Sequence, residues 1–195
     1  CAQGHLCIEG GGSAANDEWA GPAFNWMLER AGELAKKEGQ PISAVVLSAM
    51  APTDPIPSDE ELAGAEDEAM FRLKGDSQNG VRQFYINSAN ASDPKVVSVI
   101  SQSHIVWLRD GAAERCLAAW KGTPVQDAIA GVFRRGGVVG GSGAGAAILG
   151  DLIFTGSGRS TEASEVLRDP MDKGLRFATG FVAFAPGTLI DTSFI

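Results

Sequence analysis

The stretch RRGGVVGGSGAGAAILG, Arg134 to Gly150, decides the fold of this chain. Val138 and Val139 are β-branched residues, which favour a central strand. The glycines that follow them permit a tight turn and a close backbone approach that side chains would block. Ala144 to Leu149 are mostly small or aliphatic residues, which are typical of a helix packed against a sheet. A strand, a sharp turn and a helix in this order indicate either a nucleophile elbow or a phosphate-binding loop.

Strand-like and helix-like segments alternate on both sides of this stretch. Hydrophobic patterning predicts strands at His5–Glu9, Ile42–Met50, Val81–Asn87, Ile105–Leu108, Leu152–Thr155, Phe181–Phe184 and Thr188–Ile190. Helical spacing and capping residues predict helices at Glu18–Lys37, Ser58–Leu73, Pro94–Gln102, Ala112–Trp120 and Pro124–Arg135. The alternation implies an α/β fold with a doubly wound, mostly parallel sheet and helices on both faces. The length of 195 residues suits a single α/β domain.

Composition narrows the function classes. A net charge of −8 argues against nucleic acid and anionic membrane surfaces as partners. No apolar run approaches the roughly 18 residues that span a membrane. The two histidines, His5 and His104, are far apart in sequence and no metal-ligand spacing occurs, so we expect neither a metal nor a cofactor.

Both chain ends suggest processing. Cys1 stands where a methionine would, which a removed secretory signal explains, and a signal of the lipoprotein type would leave a lipid on Cys1. We therefore expect an extracytoplasmic location, with another kind of cleavage boundary as the alternative. Cys7 and Cys116 fall in a predicted strand and helix and are expected to be buried, inert thiols. The last segment stops at Ile195 without the helix that normally covers such strands, so we expect a domain that is incomplete in this chain.

Four stretches resemble, in order, the cyanophycinase and aspartyl dipeptidase group of serine peptidases. They are LCIEGGG (6–12), AVVLSAMAP (44–52), HIVWLRDGAAERCLAAWKGTPVQDAIAGVFRRGGVVGGSGAGAAILGD (104–151) and FVAFAPGTLIDTSF (181–194). The resemblance implies a class I glutamine amidotransferase-like fold and a peptide or another amide, of acidic or isopeptide character, as substrate. A homo-oligomer remains open.

The chain departs from that family at the catalytic residues. The family's elbow reads Gly-Thr-Ser-Ala-Gly-Ala, and the same register places Gly143 where the nucleophilic serine stands. The family's catalytic histidine falls on Ser193, and its acidic residue on either Glu162 or Glu165. A Ser-His-Glu mechanism is therefore unavailable to this chain.

The expected substrate-binding residues also differ from the family's. Arg109 and Asp110 replace part of a Gly-Gly-Asp-Gln motif at the end of a predicted parallel strand, where α/β sites form. They either hold the charged ends of a substrate or pair with each other. Glu162 and Glu165 are further candidates for this site, and Gly11 lies in the resembling glycine turn after the first strand.

A self-cleaving precursor explains the missing serine, the missing histidine and the end at Ile195 together. Cleavage after Ile195 would give a following β-chain an N-terminal Thr, Ser or Cys, whose α-amine serves as its general base. The backbone N–H groups of Gly143 and Ala144 would form the oxyanion hole. Asp191 and Ser193 either position the scissile bond or cap a turn. This chain would then be the α-subunit of a two-chain peptidase or amidohydrolase.

Three alternatives remain open from the sequence. The chain is a pseudoenzyme or binding module of the same fold, since glycine at an elbow relieves backbone strain. Alternatively, Ser142 is the nucleophile of a serine hydrolase whose base is not a histidine. In the third alternative, the glycines 141, 143 and 145 form a dinucleotide-binding fingerprint.

Overall fold

The computed structural model describes residues 4–10, 20–51, 81–109, 111–156, 167–169, 171–172 and 174–192. The strands are β1 (His5–Glu9), β2 (Ala44–Ala49), β3 (Val81–Ile86), β4 (Ile105–Leu108), β5 (Val138–Ser142), β6 (Gly150–Phe154), β7 (Phe177–Thr179) and β8 (Ala185–Leu189). The helices are α1 (Ala20–Glu38), α2 (Pro94–Gln102), α3 (Ala113–Trp120), α4 (Pro124–Arg135) and α5 (Gly143–Ala147). The predicted acidic helix Ser58–Leu73 lies outside these ranges.

A five-stranded sheet with the order β1-β5-β4-β2-β3 forms the centre of the fold. Every pair in it is parallel, so all five carboxyl ends meet at one edge. β3, which follows β2 in the chain, lies on one side of the neighbouring strands β2 and β4, and β5, which follows β4, lies on the other side. The carboxyl ends of β2 and β4 are therefore a topological switch point, where open α/β sheets bind ligands.

The two faces of this sheet bury separate clusters. Alternate residues of a strand point to opposite faces. Val46, Ile105, Trp107 and Val138 pack with Phe24, Met27 and Ala31 of α1. Val45, Leu47, Val106, Leu108 and Val139 pack with α2, α3 and α4 through Ile100, Leu117, Trp120, Ile129 and Val132. Helices on both faces of a parallel sheet confirm the predicted fold class.

A second, three-stranded sheet has the order β7-β6-β8 and packs through Ile153 against the α2–α4 side of the core.

The prediction of a strand at Phe181–Phe184 is wrong. Phe181 and Phe184 instead pack against Trp120 and Phe133, at centroid distances of 6.4 and 4.2 Å. Ala183 has a φ of 46°, which interrupts the extended backbone that a strand requires. The strand predicted at Thr188–Ile190 forms earlier, as β8.

Candidate active site

The predicted elbow is present where β5 meets α5 at the carboxyl edge of the sheet. Ser142 is the last extended residue, with φ −111° and ψ 149°. Gly143 follows with a φ of 48°, in the left-handed region that glycine adopts without steric cost. The backbone then enters α5 at once. The chain therefore turns at Gly143 and not at Ser142.

The neighbouring glycines are required by close packing. A Cβ on Gly140 would lie 2.7 Å from the Cys7 carbonyl oxygen and from the Trp107 ring. A Cβ on Gly141 would lie 2.7 Å from the Leu108 carbonyl oxygen, and one on Gly145 would overlap that same oxygen. The glycine run thus lets β1, β4 and α5 approach β5 closely. This packing accounts for the run without a bound dinucleotide, and β5 is the last strand of its sheet in chain order rather than the first.

The amide groups of Gly143 and Ala144 belong to the first turn of α5. N–H groups in a first turn have no acceptor within their own helix. Gly143 is buried and Ala144 is half-buried at this end of the sheet. The turn therefore carries two backbone donors where an elbow enzyme would stabilise an oxyanion.

Glu9 is a residue of this edge that sequence reasoning missed. It ends β1, is only 8% exposed, and lies in register opposite Ser142. Its negative charge adds to burial in raising the pKa of the Cys7 thiol to about 11. An acidic residue ending a strand directly before the glycines 10–12 was the available signal.

The segment after β8 also reaches this edge. A Cβ on Gly10 would lie 3.6 Å from the carbonyl oxygen of Thr192. Asp191 beside it is exposed. The structure therefore brings Asp191 and Thr192 toward the end of β1, one strand away from the elbow. Ser193 and Ile195 lie outside the described residues.

Arg109 extends β4 into the site. Its N–H donates to the carbonyl oxygen of Leu47 at 2.9 Å, so the ladder between β4 and β2 continues through it. Its own carbonyl oxygen lies 2.7 Å from the position of a Cβ on Gly145, directly beneath α5. The other residues predicted to bind substrate lie outside the described ranges: Gly11, Asp110, Glu162 and Glu165.

Both histidines lie at the opposite edge of the sheet. His5 begins β1 and makes an edge-on ring contact with Trp26 at 5.8 Å. His104 directly precedes β4 and is fully buried. Because the elbow is at the carboxyl ends of these parallel strands, no histidine of this chain reaches it.

His104 belongs to a hydrogen-bonded structural network. The Ser43 N–H donates to its Nδ1 at 3.1 Å, so the proton is on Nε2, which donates to Glu38 Oε2 at 3.1 Å. Arg135 donates to both oxygens of Glu38, at 2.8 and 2.9 Å. Burial lowers the pKa of His104, and the nearby Glu38 carboxylate only partly offsets this. The imidazole is therefore neutral near pH 7 and joins α1, β4 and α4.

In the part of the chain that the structure describes, no group of three or more His, Cys, Asp or Glu side chains is arranged to hold a metal ion. Within the same ranges, none of the helices is both long and apolar enough to cross a bilayer. Cys7 and Cys116 are in the thiol form and not in a disulfide; Cys116 is buried, whereas Cys7 is half-buried.

No family model and no curated protein matches this sequence. Solved structures that match this chain include the following two. A peptidase from an acI-B1 actinobacterium has a TM-score of 0.59 at 15% identity, over 78% of this chain and 59% of its own. A protein provisionally assigned as peptidase E from Listeria monocytogenes EGD-e has a TM-score of 0.48 at 14% identity, over 94% and 75% of the two chains. The chain thus spans 59% of the actinobacterial peptidase, with which it shares the fold.

Proposed function

We propose that this chain is the elbow-bearing part of a peptidase-type amide hydrolase. The observation that carries the proposal is Gly143, which turns the chain at a φ of 48° between a central parallel strand and the first-turn amides of α5. An oxyanion hole needs N–H donors fixed in advance, and backbone amides supply them without a side chain. The fold shared with the actinobacterial peptidase supports the same class of reaction.

The nucleophile in this proposal comes from outside the elbow. Gly143 has no side chain to offer, and both histidines are at the far edge of the sheet. We assign the role to an N-terminal Thr, Ser or Cys of a β-chain that self-cleavage after Ile195 releases. The approach of Thr192 to Gly10 supports this, because it places the last described residue of the chain at the carboxyl edge of the sheet.

The chemistry of this arrangement needs no histidine. The α-amine of the new N-terminus takes the proton of the hydroxyl or thiol as the oxygen or sulfur attacks the amide carbonyl. The Gly143 and Ala144 N–H groups stabilise the resulting oxyanion. The amide nitrogen leaves with that proton, and water hydrolyses the acyl-enzyme to release the acid. The substrate is a peptide or another amide. Export, and a lipid on Cys1, remain predictions from the sequence.

The first experiment examines the full-length gene product by intact mass and N-terminal sequencing. A second chain that begins with Thr, Ser or Cys directly after Ile195 supports the proposal. Replacing that residue by Ala must then abolish both cleavage and hydrolysis of a dipeptide and isopeptide panel. A single uncleaved chain that hydrolyses nothing in the panel would overturn the hydrolase proposal in favour of a pseudoenzyme.

The second experiment removes one oxyanion donor. Ala144→Pro deletes the Ala144 N–H at a first-turn position, where helices tolerate proline. We expect kcat to fall about 10²–10³-fold with little change in KM. Ala144→Ser, which keeps the N–H, is the matched control and should retain kcat. Equal kcat values for the two variants, with both folded by circular dichroism, would refute the oxyanion role.

A further inference from the structure

One register level at the carboxyl edge of the five-stranded sheet is polar across every strand. From one edge of the sheet to the other it contains Glu9, Ser142, Arg109, Ser48 and Tyr85. Residues at one level of a parallel sheet point to the same face, because side chains alternate along each strand. This is the face of the sheet on which α1 packs. We call these five residues the polar row.

On the two central strands β4 and β2, this face changes from apolar to polar within two residues. Trp107 and Val46, two residues before Arg109 and Ser48, are buried in the apolar cluster with α1. One level on, a guanidinium and a hydroxyl replace them. An apolar residue would serve packing equally well at that level, so packing does not explain the polar row.

Ser48 is the member of the polar row whose hydrogen bonding is incomplete. Its side chain is 8% exposed, and its Oγ has no hydrogen-bond partner among the described residues. Ser103, by comparison, is 2% exposed and donates to the Val99 carbonyl oxygen at 2.7 Å. A buried hydroxyl without a partner costs about 1–3 kcal/mol. A ligand that accepts from this hydroxyl would recover that cost.

Ser48 and Arg109 also occupy the place where this topology forms ligand sites. Ser48 lies near the carboxyl end of β2 and Arg109 follows β4, so the two residues flank the switch point between those strands. Strands in a sheet are about 4.8 Å apart. The two side chains are therefore close enough to contact one small group together.

The polar row fits a carboxylate beside an ammonium group. Arg109 is permanently charged and lies in register between Ser142 and Ser48, and a guanidinium with two hydroxyls is a donor set suited to a carboxylate. Glu9, one strand beyond Ser142, supplies the opposite charge. We propose that Ser48, Arg109 and Ser142 bind the carboxylate, and Glu9 the ammonium group, of an amino acid or a short peptide-like zwitterion. The inference rests on the proposed function only in taking this zwitterion as the substrate.

The test uses a probe without an amide bond, so that binding is measured apart from hydrolysis. The full-length protein is titrated by calorimetry with 5-aminopentanoate, with 5-aminopentan-1-ol (no carboxylate) and with pentanoate (no ammonium group). We expect the zwitterion to bind and each analogue to bind about tenfold more weakly or worse. Arg109→Gln and Ser48→Ala should weaken binding of the zwitterion similarly. The matched controls Arg134→Gln and Ser101→Ala, on exposed positions of α4 and α2, should not.

A stability readout separates binding from structure. Because the Ser48 hydroxyl has no partner, Ser48→Ala should leave the free energy of unfolding unchanged or raise it while binding weakens. Absence of binding at millimolar probe, or binding unaffected by Ser48→Ala and Arg109→Gln, would overturn the subsite. Binding without hydrolysis of any amide would retain the subsite and count against the hydrolase. Hydrolysis of an amide without binding of the zwitterion would support the hydrolase and count against the subsite.

Discussion

Gly145 on α5 lies directly against the carbonyl oxygen of Leu108 at the end of β4. A Cβ atom on Gly145 would overlap that oxygen and lie 2.6 Å from the Leu108 carbonyl carbon. Backbone atoms in a central strand cannot move aside as a flexible side chain can. This contact therefore sets how closely the elbow helix sits on the sheet, and with it the position of the first-turn amides.

Gly145→Ala should destabilise the protein by about 1–3 kcal/mol or more, the range expected for overpacking. The measurement is the free energy of unfolding from urea titration followed by circular dichroism. Gly131→Ala, in the interior of α4, is the matched control, since the nearest atom to its Cβ is a side-chain nitrogen of Arg134 at 4.0 Å. That change should stabilise by about 0.5–1 kcal/mol. Equal effects of the two substitutions would contradict the role of Gly145.

Gly143→Ser should not create a serine hydrolase. A serine at a φ of 48° costs about 1–2 kcal/mol of stability, so the variant should fold but melt earlier. Its hydroxyl would have no imidazole to activate it, because His5 and His104 are at the amino ends of the strands. We expect no labelling of residue 143 by a fluorophosphonate probe, read by mass spectrometry. Labelling would show that another base serves the elbow. Labelling of Ser142 in the unmutated protein would favour the Ser142 hydrolase.

Local patterning was sufficient to predict most elements and the fold class. The strands His5–Glu9 and Ile105–Leu108 and the helices Pro94–Gln102 and Pro124–Arg135 have the predicted bounds. Each has a strong local signal: a short apolar run for the strands, and proline at the first position for the helices. The apolar run Phe181–Phe184 gave a wrong strand prediction, because its aromatic rings pack on Trp120 and Phe133 instead of lining a paired strand. Aromatic packing and strand pairing produce the same composition in a short segment.

The sequence could not have predicted the polar row. Glu9, Ser48 and Arg109 are far apart in the chain, and only the strand order places them at one level. Alternation within one strand shows which residues share a face, but not which strands are neighbours. The elbow, in contrast, is contiguous, so a turn within the glycine run was predictable from the residues, and the family resemblance placed the nucleophile position at Gly143.

Cys7 and Cys116 should resist thiol reagents in the native protein. The raised pKa of Cys7, about 11, leaves on the order of one thousandth of it as thiolate at pH 8, and Cys116 is buried at 1% exposure. On a Cys1→Ser background, we expect no reaction with Ellman's reagent within minutes at pH 8. Both thiols should react once urea unfolds the chain. Fast native modification of Cys7, located by peptide mapping, would show that its surroundings are more open than the structure has them.

The buried imidazole of His104 should make the protein less stable as the pH falls below neutrality. Its pKa in the folded state is lowered by burial, so below the ordinary value of 6.5 the unfolded chain binds more protons than the folded one. Stability is therefore retained above that pH and lost as the pH falls through it, by up to about 1.4 kcal/mol per pH unit. His104→Asn should lower stability at pH 7 but flatten the loss between pH 7 and pH 5.

Glu38 should contribute a second loss at lower pH. Burial alone raises its pKa, but the hydrogen bonds and charge of Arg135, with those of His104, outweigh burial and lower it below 4.5. The stabilisation is thus present above 4.5 and lost as the pH falls through the folded-state pKa. Urea titrations from pH 7 to pH 3 should show both losses in the unmutated protein. The exposed control Glu29→Gln should show the same fall in the free energy of unfolding between pH 7 and pH 5 as the unmutated protein. If His104→Asn showed that same fall, His104 would not be the cause of the first loss.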